Sequence, residues 1–89
     1  MKPIRLSDHA RQQVLFRGCS VGEVGEAIQT SPWEPAELGR SRCRRNFRFE
    51  REWHGVWCAT KQVRPIFVDE PEEIVVVTVY VYYFSREGR

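Results

Sequence analysis

The chain has no apolar run long enough to cross a membrane as a helix. Its longest, Ile74–Phe84, has 11 residues, where a span needs roughly 20. Met1–Leu6 contains no apolar stretch, so no secretory signal is expected. Cysteine is scarce and odd in number: Cys19, Cys43 and Cys58 offer no C-x-x-C pair. A disulfide framework is therefore not expected, and free thiols in a reducing cytoplasm are. Low-complexity tracts and internal repeats are absent. A mean hydropathy of −0.50 with 42% hydrophobic residues excludes a disordered chain, and 89 residues hold one domain with one modest core. Net charge is also small, at +2, so the average says little about partners. Its distribution says more. Acidic residues are nearly missing from Arg40–Arg51, where six arginines face the single Glu50.

What is present is organised around Ile74–Phe84, IVVVTVYVYYF. Branched and aromatic side chains without Gly, Pro or charge predict a strand. Strict alternation puts Val75, Val77, Val79, Val81 and Tyr83 on one face, which helices should cover. Ile74, Val76, Thr78, Tyr80, Tyr82 and Phe84 form the other, with hydroxyls available for binding.

The rest of the chain supplies the cover. Pro3–Leu6 reads as a short edge strand. Ser7 caps a first helix over Asp8–Arg17, and Gly18 ends it. Ser20 and Glu23 form a capping box for a second helix over Val21–Gln29, with Cys19 and Val24 at the staple positions. Trp33–Ser41 reads as a loop because Pro35 and Gly39 break any pattern. Cys43–Glu50 alternates, with Cys43, Phe47 and Phe49 on one side and Arg42, Arg44 and Arg48 on the other. Arg45 falls on the apolar phase, which suggests a strand end or bulge. A turn at Glu52–Gly55 leads to Val56–Val68, with a bulge or break expected at Arg64-Pro65 because proline lacks a ladder donor. The acidic turn Asp69–Glu73 returns to Ile74–Phe84. The expected fold is α+β, in the order β-α-α-β-β-β: two short N-terminal helices on one face of an antiparallel sheet of three to four strands.

Several residues suit chemistry. Arg42, Arg44 and Arg48 project together, either for a phosphate-rich surface or as the solvated outer face of an edge strand. Lys61 and Arg64 interrupt an apolar strand. They read as an anion clamp, with Lys61 a point charge and Arg64 a bidentate fork, or as partners of Glu70 or Glu72. Tyr80 and Tyr82 share a face, for packing or with hydroxyls held by nearby cations. His54 lies between Trp53 and Trp57 beside a turn, as part of a stacking platform with an acid–base group, or simply exposed there with Trp57 in the core and Trp53 at its rim. His9 either serves the helix start or reaches the same cleft. On a strand, His54 and Cys58 would lie about 13 Å apart, too far to share one zinc, so neither metal nor cofactor is expected.

Ser7-Asp8-His9-Ala10-Arg11-Gln12, then Arg17-Gly18-Cys19-Ser20 with Glu23-Val24 and Ala27-Ile28, resembles the opening of the domain of unknown function 4258 family. That family is placed with the RelE/ParE/BrnT-like toxins, small proteins with two helices against an antiparallel sheet. The resemblance implies a metal-independent endoribonuclease toxin neutralised by a cognate antitoxin, acting on RNA such as ribosome-associated mRNA, or a relative that has lost cleavage. RelE-like enzymes use basic residues and a sheet tyrosine, roles that Lys61, Arg64 and Tyr80 suit here. His54 or His9 would assist proton movement, and Arg42, Arg44, Arg48 and Tyr82 would bind RNA. The alternative is a non-catalytic module that binds RNA or protein through the same sheet face.

Overall fold

Ser7 and Ser20 cap the two helices at the expected positions. In the computed structural model, which describes residues 1–85, strand β1 (Ile4–Leu6) leads into helix α1 (Asp8–Arg17). The Ser7 hydroxyl accepts from the Ala10 amide at 3.1 Å, and Gly18 ends α1 in the left-handed region at φ 80°. Helix α2 (Val21–Thr30) opens with the reciprocal box: the Glu23 amide donates to Ser20 Oγ and the Ser20 amide to Glu23 Oε1, both at 3.0 Å. Neither helix is long and apolar enough to cross a membrane.

Five more strands follow: β2 (Glu34–Pro35), β3 (Ser41–Arg42), β4 (Arg45–Trp53), β5 (Val56–Asp69) and β6 (Ile74–Phe84). Both helices pack on one face of this sheet. The β5–β6 hairpin is its centre, β3 and β4 pair successive lengths of one edge of β5, and β2 pairs β3. The expected three to four antiparallel strands are thus six in a mixed sheet. β1 runs parallel to β6, because the chain returns only after two helices and the rest of the sheet. The Trp33–Ser41 segment, expected as a loop, contributes β2 and the start of β3, closed by an Ala36 amide bond to Arg40 O at 2.8 Å.

The core lies between the helices and β5–β6. Ala10 and Val14 from α1 and Val24, Ala27 and Ile28 from α2 cover Val63, Phe67, Ile74, Val76, Val79 and Val81. Alternation along β6 does not hold throughout. Ile66 pairs with Thr78 but Phe67 with Val76, so Val77 is an extra residue and the strand changes phase there. Val79, Val81 and Tyr83 face the helices as expected, but Ile74 and Val76 take the places assigned to Val75 and Val77. The Val77 carbonyl accepts from the Ser7 hydroxyl at 3.1 Å, which ties the bulge to the start of α1.

β5 itself runs unbroken through Pro65, which pairs with Val79. Of the bulge or break expected at Arg64-Pro65, the break occurs in the neighbouring strand, and the register shift against β6 falls just beyond, between Ile66 and Phe67. A strand residue directs its N–H and C=O to the same edge. Pro65 O accepts from the Cys43 amide at 3.3 Å, so its missing donor falls on that same edge, where β5 changes partner from β4 to β3. Arg45 begins β4 on the helix-facing side. Its Nε lies 2.9 Å from Glu26 Oε2, an ion pair without hydrogen-bond alignment, and its Nη1 donates to Thr30 Oγ1 at 3.1 Å. Partners on α2 explain an arginine on an apolar phase.

Candidate functional site

The sheet face away from the helices carries a cleft enclosing about 310 Å³. Arg42, Arg44 and Arg64, with Tyr80, Tyr82 and Glu34, form its walls over Ile66. Strand register accounts for the assembly. Arg64 and Tyr80 are directly paired across β5–β6, Gln62 pairs with Tyr82, and Arg42 pairs with Ile66. All therefore project from one side. The cleft joins the arginine-rich segment to the tyrosines of β6, as their shared phase predicts.

A polar chain holds Arg64 in place. Its Nε donates to Gln62 Oε1 at 2.5 Å, and Gln62 Nε2 donates to Asn46 Oδ1 at 2.7 Å. The guanidinium lies 4.5 Å from the Tyr82 ring centroid. This stacking leaves the guanidinium edge free to donate while its face rests on the ring. Tyr80 and Tyr82 remain 42% and 43% exposed, enough to offer ring surface to a ligand. Arg42 Nε pairs with Glu34 Oε1 at 3.3 Å, both well exposed, so the pair is weak and exchangeable. Arg44 and Arg64 form no ion pair among the described residues. The cleft thus presents two arginines whose charge no carboxylate neutralises.

Other expected residues lie elsewhere. Arg48 shares the phase of Asn46 further along β4, is 81% exposed and pairs with Glu50 at 3.2 Å. Lys61 projects from the opposite side of the sheet. Only 6% exposed, its ammonium lies 2.9 Å from Glu23 Oε1 and donates to Gly18 O at 3.2 Å. The clamp expected of Lys61 and Arg64 is therefore divided between two faces. The partner of Lys61 is Glu23 rather than Glu70 or Glu72.

His54 sits exposed at the tip of the β4–β5 hairpin, and Trp57, expected in the core, is 52% exposed because it lies close to that tip, beyond the helices' cover. Trp53 pairs with Val56, so His54-Gly55 is a two-residue turn, with φ of 52° and 84° matching a type I′ geometry. His9 is exposed in the first turn of α1. Neither histidine lines the cleft. Among the described residues no group of three potential metal ligands is present.

Arg17 is the residue that sequence reasoning missed. From the end of α1 it rounds the outer edge of β6, and its guanidinium lies 5.5 Å from the Tyr80 ring centroid. Gln13 Oε1 accepts from its Nε at 2.5 Å. In sequence it served only as the residue before the helix-ending glycine. Gln62 and Asn46 were also missed; a glutamine between two cations in an apolar strand was the available signal.

Comparison with protein-family models, curated proteins and solved structures finds no match for the chain.

Proposed function

We propose that the protein binds single-stranded RNA in the cleft between the arginine segment and β6. The observation that carries this reading is the convergence of Arg42, Arg44 and Arg64 with the exposed rings of Tyr80 and Tyr82 on a face no helix covers. Phosphates require cations, and unpaired bases require flat π surfaces; this cleft offers both within one cavity. The choice of RNA follows the resemblance to RelE-like proteins, whose order of elements this fold is compatible with.

Fluorescence anisotropy with a labelled oligoribonucleotide tests the reading. Affinity should fall steeply with salt, and Arg44→Ala and Arg64→Ala should each lower the log–log slope by about one. Tyr82→Ala should weaken binding with the slope unchanged. Salt-independent binding, or none, overturns the proposal. Equal affinity for the matching deoxyribonucleotide would remove RNA from it.

A second reading, metal-independent RNA cleavage by a toxin of a toxin–antitoxin pair, is favoured by one contact: Arg64 and Tyr80 are directly paired across the strands. Cleavage through the 2′-hydroxyl needs a base for that proton, a cation for charge on phosphorus and an acid for the leaving oxygen. Arg64 would supply the cation and Tyr80 would move a proton. Inducible expression with primer extension of cellular RNA separates the readings. A nuclease arrests growth and leaves discrete RNA ends, both lost in Arg64→Ala with Tyr80→Phe; a binding module leaves cellular RNA intact.

A further inference from the structure

On the helix side of β6, at the strand's outer edge, a second cavity encloses about 210 Å³. Phe16 and Arg17 from α1, Trp53 and His54 from the hairpin tip, and Val81 and Tyr83 from β6 wall it. Val81 and Tyr83 face the helices, whereas Tyr80 and Tyr82 face the arginine cleft. The two cavities therefore lie on opposite sides of a single strand. That strand has a free margin. β1 pairs with β6 only through Val76, Ser7 bonds the Val77 carbonyl, and no strand lies beside Thr78–Phe84 on that edge among the described residues.

Arg17 joins the two sides. It walls the second cavity, and its guanidinium reaches the ring of Tyr80, which walls the first. The aromatic surface around it exceeds what the core uses. α1 buries Ala10 and Val14 while leaving Phe16 80% exposed. Across from Phe16, His54 lies 4.6 Å from Trp53, ring to ring, and Trp53 is itself stacked on Tyr83 at 4.4 Å. An exposed phenylalanine facing a supported aromatic stack, with an arginine between them and the first cleft, is what a flexible polyanion with flat bases requires at a turn in its path.

We infer that RNA held in the arginine–tyrosine cleft continues round the free edge of β6, with Arg17 on a phosphate at the crossing and a nucleobase seated between Phe16 and His54. The inference rests on the RNA-binding reading above and extends it by a second subsite. Because every base has a π face, the subsite takes a base without specifying which. It also makes the footprint longer than the first cleft alone requires.

Oligoribonucleotides of about four and about twelve nucleotides, within the range one small domain accommodates, distinguish the possibilities. Phe16→Ala and His54→Ala change exposed side chains. Each should weaken the longer oligomer about tenfold and leave the shorter unchanged. Arg17→Ala should weaken the longer and lower its salt slope by about one, whereas Phe16→Ala leaves that slope unchanged. If the longer oligomer binds Phe16→Ala and His54→Ala as tightly as wild type while Arg44→Ala and Arg64→Ala weaken both lengths, the second subsite is overturned and the first cleft stands. If neither length depends on Arg44 or Arg64, the reading beneath it fails, and the inference with it.

Discussion

Lys61 and Glu23 form an ion pair of 2.9 Å beneath α2, with the ammonium also bonded to the last carbonyl at the α1 terminus, Gly18 O. Glu23 Oε1 accepts at the same time from the Ser20 amide, so one oxygen serves both the helix cap and the strand. Removing one partner leaves the other short of its partner in a largely dry site. Glu23→Gln should therefore destabilise the fold by about 3 kcal/mol, because it leaves the 6% exposed Lys61 charge without a counter-charge, and Lys61→Met by less because the Glu23 it leaves behind retains 25% exposure. The double variant should cost clearly less than the sum, as coupled neighbours do. Urea midpoints of the four proteins measure this coupling. Additive losses would mean that the pair contributes nothing jointly.

Gly18 is fixed by two independent constraints. Its φ of 80° disfavours any residue with a Cβ, and a Cβ built there would lie 2.6 Å from Trp53 Cη2 and 2.8 Å from the Tyr83 hydroxyl. The left-handed conformation alone costs a substituted residue about 1–2 kcal/mol. Displacing the Trp53–Tyr83 stack adds to that. Gly18→Ala should thus lose about 3 kcal/mol, with overpacking supplying the excess. Trp53→Leu in the Gly18→Ala background should recover part of the loss, read as a shift in thermal midpoint. If the second change only adds damage, the steric part of the argument is wrong.

Stability should decline at alkaline pH from three groups, the buried Cys43 and the partly buried Cys19 and Tyr83. Burial pushes the Cys19 and Cys43 thiols up to about 11, with the Glu23 charge adding to the effect on Cys19. Burial also raises the Tyr83 phenol to about 12, in line with the bond its hydroxyl donates to Arg17 O at 2.6 Å. Each folded-state value exceeds the ordinary one of 9.0 or 10.0, so the folded protein holds these protons more tightly than the unfolded chain. Their contribution is complete below about pH 9. It is lost as pH rises through about 11 for the thiols and about 12 for Tyr83. Cys19→Ala with Cys43→Ala should flatten the denaturant-midpoint curve above pH 9. Tyr83→Phe should be less stable by about 1 kcal/mol below pH 10, with a flatter curve between pH 10 and 12 so that the gap closes there. Parallel curves for wild type and Tyr83→Phe would exclude the phenol from this decline.

The helices were legible because caps are local: Ser7, Gly18 and the Ser20–Glu23 box act within four residues. The arginine phase and the tyrosine phase were legible from alternation, and the cleft follows from pairing them. Three positions along a strand also place Lys61 and Arg64 on opposite faces. The break expected at Pro65 obscured that parity, since an extra residue resets it. Arg45 required partners on α2, and Arg17 meets Tyr80 only after β6 has been laid beside α1. Neither contact leaves a local trace. The bulge at Val77 was the least visible feature. The β-branched Val76 and Thr78 stand on either side of it, and no Gly or Pro marks the phase change.

That bulge supports a sharp test of register. With Ile66 paired to Thr78 and Phe67 to Val76, deleting Val77 joins Val76 to Thr78 in an unbroken ladder. Every other residue of β6 keeps its face: Val76, Val79 and Val81 stay inward, Tyr80 and Tyr82 outward. The deletion removes the Ser7 hydroxyl bond to the Val77 carbonyl and some partial burial, a loss of about 1–2 kcal/mol. Deleting Val81 is a different matter. If the strand closes the bulge to compensate, Tyr80 turns into the core and Val79 out of it; if it keeps the bulge, Tyr82 turns in and Tyr83 out, because a one-residue slip reverses the side chains it displaces. That loss is comparable with the whole stability of a small domain, about 5–15 kcal/mol. Circular dichroism melts should show a cooperative transition for the Val77 deletion and none for the Val81 deletion. If both deletions unfold the protein, Val77 is not the extra residue and the phase of β6 must be assigned afresh.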